Sequence, residues 1–277
     1  MRGPHTRSNL CGRQQSPRHT DMKIIVAVKQ VPVRDSVIRI DAGGKWIEEE
    51  DLSFEINEPD AYALEEALLL KEKHGGEVVV LCAGPARAGQ TIREALAKGA
   101  DRAVYIPCDD LVSLDTLGLA RRLAAAAATE SADLILTGLQ SDDLGLGQTG
   151  VVMAETLGIP HATIVMKVEV LDAGVRVKRE LEDGWFQWVL MPMPALLTVQ
   201  SGISPLRYAT LMGIKKAKTK EVRHCSPEHL PPPTPPTLTL QRIYLPQRKK
   251  ETQILTGTPS EAATKLTDIL KFEVRVI

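Results

Sequence analysis

Four short apolar runs, separated by stretches with helical spacing, limit this chain to a small set of folds. Ile24–Val28, Val78–Cys82, Ala103–Ile106 and Leu134–Thr137 have the length and the Val/Ile/Leu content of fully buried strands. Between them, Asn57 to about Lys73, the stretch from Gly84-Pro85 to Lys98, and Asp115–Ala128 read as helices. Strands that alternate with helices of this length build right-handed βαβ units and a parallel sheet. The expected fold class is therefore α/β, with an open, mainly parallel sheet flanked by helices. Two hairpins are expected beside it. One spans Val37–Ile47 and turns at Gly43-Gly44; the other turns at 172–174, within the strand-like stretch Ala162–Val199.

The fourth strand runs into Gly138–Gly150, a glycine-rich loop, and then into Val151–Leu157, which reads as a helix. Such a loop leaves backbone N–H groups unpaired at a helix N-terminus, where a phosphate is best held. Gly145, Gly147 and Gly150 let the backbone approach a ligand closely. Thr149, beside Gln148 at the helix entry, offers a hydroxyl to the same phosphate. The GK[ST] ending of a Walker loop is absent, and no lysine follows to reach a γ-phosphate. A mono- or diphosphate held passively suits the loop better than a hydrolysed triphosphate. A bare connector between strand and helix would read the same way if nothing else pointed to a site.

Ligands in an open parallel sheet collect at the carboxyl ends of the strands, where the strand order reverses. Ala27-Val28-Lys29 ends the first strand, Ala83-Gly84-Pro85 the second and Gly138–Gly150 the fourth. Small residues at the first two leave room for a flat base, or are small for packing. Asn57, with Asp60 three residues later, has the spacing of a helix cap. Capping alone accounts for both residues, and nucleotide contact from the same side chains is compatible with it.

Composition removes other classes. The net charge is -1 and aromatic residues are 4% of 277, which gives no general attraction to nucleic acid and no stacking platform for it. No apolar run is long enough to span a bilayer, so the protein is not expected to be membrane-embedded. The four cysteines, Cys11, Cys82, Cys108 and Cys225, contain no CxxC pair, which fits a reducing compartment. His224, Cys225 and His229 lack a fourth ligand, so no metal site is expected. No nucleophile–base arrangement is visible, and no catalytic residues are expected.

Along the chain, residues 1–21 are arginine-rich, carry no core segment and read as a disordered extension. Residues 22–222 read as the α/β domain. It closes with a loop at 201–218, and a basic run of Lys215, Lys216, Lys218, Lys220 and Arg223 leads from it into the next segment. Residues 223–277 read as an arm, with the proline-rich linker 231–236 followed by one capped helix, Thr258–Lys271. A single amphipathic helix cannot make a domain and needs a surface to dock on.

Together these segments resemble the β subunits of electron transfer flavoproteins, from Met22 to Ile277. The resemblance lies in Met22-Lys-Ile-Ile-Val-Ala-Val-Lys-Gln-Val-Pro32 and Asn57-Glu-Pro-Asp-Ala-Tyr-Ala-Leu-Glu-Glu-Ala67. It continues through Gly84-Pro85, Ile92-Arg-Glu-Ala-Leu-Ala-Lys-Gly-Ala-Asp-Arg102 and the Gly138-x-Gln140 loop. Its most specific part is Leu206-Arg-Tyr-Ala-Thr-Leu-Met-Gly-Ile-Lys-Lys-Ala-Lys218. The resemblance implies an adenine-nucleotide-binding, Rossmann-like fold with an extended C-terminal arm. It implies a heterodimer with an α subunit that holds a redox-active FAD, and a structural AMP in this subunit. Its pocket falls on Ala27, Asn57, Glu58, Pro59, Asp60, Ala83, Ser141, Asp142, Asp143, Gly145, Gly147, Gln148, Thr149, Gly150, Val151 and Val152. Val31–Asp35 would lie toward the flavin edge. Leu211 would be the anchor that enters flavin dehydrogenases, with Lys215, Lys216 and Lys218 as its basic flank, and the arm would wrap the α subunit. The implied electron path ends at a quinone-reducing membrane oxidoreductase, and the implied location is a bacterial cytoplasm rather than a mitochondrial matrix.

Two departures bear on the ligand. Leu144-Gly-Leu-Gly147 stands where many members carry a polar cluster, so the loop is more apolar. The helix entry, Gln148-Thr-Gly-Val151, is nearer to the AMP-holding members than to the electron-bifurcating ones, in which a second FAD replaces AMP. A bifurcating-type subunit and a free-standing nucleotide sensor of the universal-stress type remain the alternatives; the latter would normally end near the last strand, without residues 201–277.

Overall fold

The computed structural model describes residues 21–109, 114–232, 235–246 and 252–276. They fall into two compact units, the first ending at Arg242 and the second starting at Ile243. The expected disordered extension lies, apart from Asp21, outside the described residues.

The first unit begins with β1 (Lys23–Ala27), β2 (Gln30–Pro32) and β3 (Phe54–Ile56), followed by α1 (Glu58–His74). Strands and helices then alternate through β4 (Glu77–Gly84), α2 (Ala88–Lys98), β5 (Arg102–Pro107), α3 (Thr116–Ala128), β6 (Leu134–Gly138) and α4 (Thr149–Leu157). An antiparallel excursion follows in β7 (His161–Leu171), β8 (Gly174–Glu180) and β9 (Phe186–Met191). The chain returns through β10 (Ala195–Val199), α5 (Leu211–Ala217) and β11 (Val222–His224).

These strands form a nine-stranded sheet in the order β11-β5-β4-β1-β6-β10-β7-β8-β9, with β2 and β3 as a separate pair. Pairing is parallel from β11 across to β7 and antiparallel from β7 to β9. Successive side chains of a strand point to opposite faces, and along the parallel strands β1, β4, β5, β6 and β10 both faces are covered. Ile24 and Val26 of β1 pack with Leu64 and Leu68 of α1 and Ile92 and Leu96 of α2. Ile25 packs on the other side with Leu123, Ala124 and Ala127 of α3 and Met153 of α4. This two-sided burial is why the strands read as unbroken apolar runs rather than alternating ones. Alanines on the buried side of α3 leave room for α4, against which it packs.

Four local expectations change. The hairpin at Val37–Ile47 is reduced to a single antiparallel bridge between Ile40 and Ile47. Val37 and Ile38 are exposed, so an extended ladder would have no core to rest on. The loop at 201–218 contains a helix, because the Thr210 hydroxyl accepts the Gly213 N–H at 3.0 Å and starts α5 at Leu211. Val222–His224, where the arm was expected to begin, pairs with β5 at the sheet edge. The helix expected at Thr258–Lys271 is α6 (Pro259–Asp268), which opens with a reciprocal capping box between Thr258 and Glu261. It continues into a wider turn over Ile269–Val274. The hairpin at 172–174 forms as expected, joining β7 to β8.

Candidate functional site

The strand order reverses between β1 and β6. From β1 the chain moves outward through β4 and β5, then crosses back to β6 on the other side of β1. A crevice opens outside the carboxyl ends of strands at such a point. Asn57, Glu58, Asp60, Ser141, Asp142 and Asp143 are linked there by hydrogen bonds, and Asn57 and Asp60 do not act as the caps their spacing suggests.

Asn57 stands at the N-cap position of α1, yet its side chain makes no capping bond. Its Nδ2 donates to the Gln140 carbonyl at 3.1 Å, and its Oδ1 accepts the Asp142 N–H at 2.9 Å. Asp60 does not close a capping box either. Its Oδ2 accepts the Lys29 N–H at 2.8 Å and its Oδ1 the Gly138 N–H at 2.9 Å. One buried carboxyl thus joins the end of β1 to the end of β6 across the reversal. Burial pushes Asp60 up to about 7, against those two N–H groups, the Asn57 side chain and the charge of Lys29. The cap that Asn57 does not supply comes from 84 residues away, where Asp142 Oδ2 accepts the Glu58 N–H at 3.2 Å. Glu58 pairs outward with Arg34 at 2.7 Å, and Pro59 is buried. Gly138 is required by this closeness. An added Cβ would overlap Asp60 Oδ1 and lie 2.7 Å from Pro59 Cβ.

Beyond β6 the loop closes on itself and on β1. The Ser141 carbonyl accepts the Gly145 N–H at 3.0 Å. Lys29 Nζ lies 2.6 Å from Asp143 and donates at 3.4 Å to Ser141 Oγ. Burial works against the Asp143 charge, but Lys29 together with bonds from Ser141 and the Leu144 N–H outweighs it. The carboxyl is held below the ordinary range. Gly145 and Gly147 have φ of +62° and +63°, a conformation L side chains rarely adopt. Gly150 is different. An added Cβ there would lie 2.7 Å from both Thr137 Oγ1 and Thr198 Cγ2. Its smallness serves the approach of α4 to the sheet, not the approach of a ligand.

Gln148 precedes α4 and makes no side-chain capping bond. The first helical bond runs from the Val152 N–H to the Gln148 carbonyl. The N–H groups of Thr149, Gly150 and Val151 therefore have no acceptor within their own helix. Val151 and Val152 are half-buried. Ala27 ends β1 opposite Leu81, and Ala83 lies two residues further along β4. Lys29 is the residue that sequence reasoning passed over. It stands at a strand end the pattern pointed to, but its reach to Asp143 exists only in the fold.

The surface around α5 is built the other way. Leu211 and Tyr208 are 88% and 94% exposed, and Met212 is exposed beside them. The backbone beneath them is held tightly. Ala217 is buried, and a Cβ on Gly213 would overlap the Ala97 carbonyl oxygen of α2. Arg207 reaches Glu65 and Glu72 of α1. The basic run divides in two. Lys215, Lys216 and Lys218 are exposed. Lys220 instead donates to the Leu96 carbonyl at 2.9 Å and to the Ala100 carbonyl, answering the negative end of α2. Arg223 is bound to Glu130.

Among the described residues no cluster of His, Cys, Asp and Glu is placed to hold a metal ion, and no helix is long and apolar enough to cross a membrane.

Fold and crevice define a doubly wound α/β protein of the class that takes its ligand at the strand reversal. A family model described as the electron transfer flavoprotein domain matches residues 45–230. The electron transfer flavoprotein subunit beta of Methylophilus methylotrophus is 36% identical over 90% of this chain and 98% of its own length. That of Bacillus subtilis is 34% identical over 93% and 95%. The mitochondrial subunit beta of rice, Oryza sativa subsp. japonica, is 34% identical over 92% of this chain and all of its own. The chain belongs to the electron transfer flavoprotein family, among its beta subunits. Membership makes it part of a flavin-dependent electron-transfer system.

Proposed function

We propose that the crevice holds AMP and that the chain pairs with an α subunit carrying the redox-active FAD. Supporting this most directly is the uncapped start of α4 at the strand reversal, without the lysine of a triphosphate loop. The residues fit the ligand. Thr149, Gly150 and Val151 offer backbone N–H groups to one phosphate, and Ala27 and Ala83 leave space for a flat base. Asn57 and Asp60 hold the walls on which both depend. Bound AMP supplies a negative charge to the α4 N-terminus and no redox chemistry.

In this reading the subunit has no catalytic residues of its own. Electrons enter from flavin dehydrogenases that dock on α5, with Leu211 as the apolar anchor and Lys215, Lys216 and Lys218 as its charged flank. They leave from the α-subunit FAD to a quinone-reducing oxidoreductase. Val31–Asp35 faces the flavin, and the segment after Arg242 wraps the α subunit. The setting is the bacterial cytoplasm. The test is the nucleotide content of the co-purified heterodimer. One flavin and one extractable AMP are expected; two flavins and no AMP would place the protein in the bifurcating branch.

A further inference from the structure

One ammonium group bridges the two sides of the crevice. Lys29 lies two residues past the end of β1, while Asp143 and Ser141, which hold its Nζ, belong to the loop leading into α4. The Lys29 side chain is 32% exposed, so solvent screens this pair only in part. Backbone and side chain of Lys29 have separate partners. Its N–H donates to Asp60, while among the described residues its ammonium bonds to Ser141 and Asp143 of the loop. The strand end is therefore held whatever the side chain does. Asp143 also has a partner in reserve, the Leu144 N–H at 2.6 Å.

The charges around the crevice give this bridge a purpose. Glu58, Asp142, Asp143 and the buried Asp60 gather about the strand reversal, an unfavourable setting for a phosphate dianion. Arg34 answers Glu58, and burial pushes Asp60 toward its neutral form. Lys29 answers Asp143, on the loop that carries the N–H groups of α4. Those N–H groups carry only partial charges, to which an ammonium adds a full positive one.

We propose that Lys29 is the residue by which this crevice distinguishes a nucleoside 5′-phosphate from a nucleoside, and that Asp143 competes with the phosphate for it. The proposal rests on the reading of the crevice as a nucleotide site. Its ammonium pairs with Asp143 or with the phosphate, and the exchange couples ligand charge to the conformation of the 141–147 loop. Ligand specificity then has two parts. The small residues at the strand ends accept the base, and Lys29 requires the phosphate.

The experiment uses the full chain in complex with its α subunit, stripped of bound nucleotide and titrated calorimetrically with AMP and with adenosine. Wild type is expected to prefer AMP. Lys29→Met should weaken AMP by ~10–100-fold, the size of a lost charge-assisted bond, and leave adenosine unchanged. Asp143→Asn should tighten AMP by a few fold, because the competitor for Lys29 is neutral. Lys29→Arg should restore most of the preference. Equal AMP affinity in wild type and Lys29→Met overturns the proposal while leaving the nucleotide site intact. An equal loss of AMP and adenosine in Lys29→Met also overturns it, because that marks a structural role. Weaker AMP binding in Asp143→Asn, which leaves Lys29 in place, counts against it even if Lys29→Met fails to fold. Wild type that binds neither ligand overturns both this proposal and the reading of the crevice beneath it.

Discussion

The crevice and the α5 surface sit on the same α/β unit and use polar residues in opposite ways. In the crevice, polar side chains bind one another across long sequence separations. Asn57 holds the β6–α4 loop, Asp60 holds two strand ends, and Asp142 caps a helix to which its own segment does not belong. Around α5, Leu211, Tyr208 and three lysines point outward over a backbone fixed from beneath. The first region uses its side chains to hold a shape; the second keeps its shape by backbone and burial and leaves its side chains uncommitted. Under the proposed function the difference is expected: a small-ligand site needs preorganised walls, whereas a docking surface needs exposed anchors on a rigid base.

The comparison is broken most directly at Asp60. Asp60→Ala strands two N–H groups and should destabilise the protein by about 2–5 kcal/mol, read from urea unfolding. A change below about 0.5 kcal/mol would mean that the staple is dispensable. Asp60 also gives the crevice a pH signature. Its value in the folded protein, about 7, lies above that of an unfolded Asp, about 3.9. The folded state therefore binds the extra proton between those values. The stabilisation is complete below about pH 4 and is lost as pH rises toward 7. The advantage of wild type over Asp60→Asn should narrow across that window; a widening gap would contradict the assigned direction.

The basic run offers a sharper contrast, because its lysines divide between the two kinds of use. Lys220→Met removes a charged donor from the carbonyls of Leu96 and Ala100 and should cost about 1–3 kcal/mol. Lys216→Met, on the exposed side, should stay within about 0.5 kcal/mol of wild type. Equal losses would show that α5 and its flank stabilise the fold as a whole.

The smallest effect on stability is expected at Leu211. Leu211→Ala should leave the unfolding midpoint and the nucleotide content unchanged, because the side chain packs on little. Dehydrogenase-coupled reduction should slow by about tenfold, as for a lost interface anchor. Stopped-flow reduction at the wild-type rate would remove α5 from the docking surface.

Most of the α/β core was legible before the fold was known. Strands buried on both faces read as continuous apolar runs, and α1 to α4 were bounded by caps, prolines and glycines in the sequence. The hairpin at 37–47 was misread because alternation and a glycine pair describe a strand's preference, not whether a core exists to receive it. The start of α5 was missed because its signal is one threonine hydroxyl.

By itself, then, the sequence determined the alternation of elements, the glycine-rich loop after the fourth strand and the motif around Leu211. Only the tertiary structure decided what the polar residues do. Asn57 and Asp60 have capping spacing but bind the β6–α4 loop and the ends of two strands, Gly150 is small because α4 lies close to the sheet, and Lys29 reaches Asp143. The reason is physical. Periodicity and capping act within a few residues, so they can be read along the chain. A hydrogen bond such as that between Asp60 and Gly138 spans 78 positions, and its existence depends on the order of strands in the sheet.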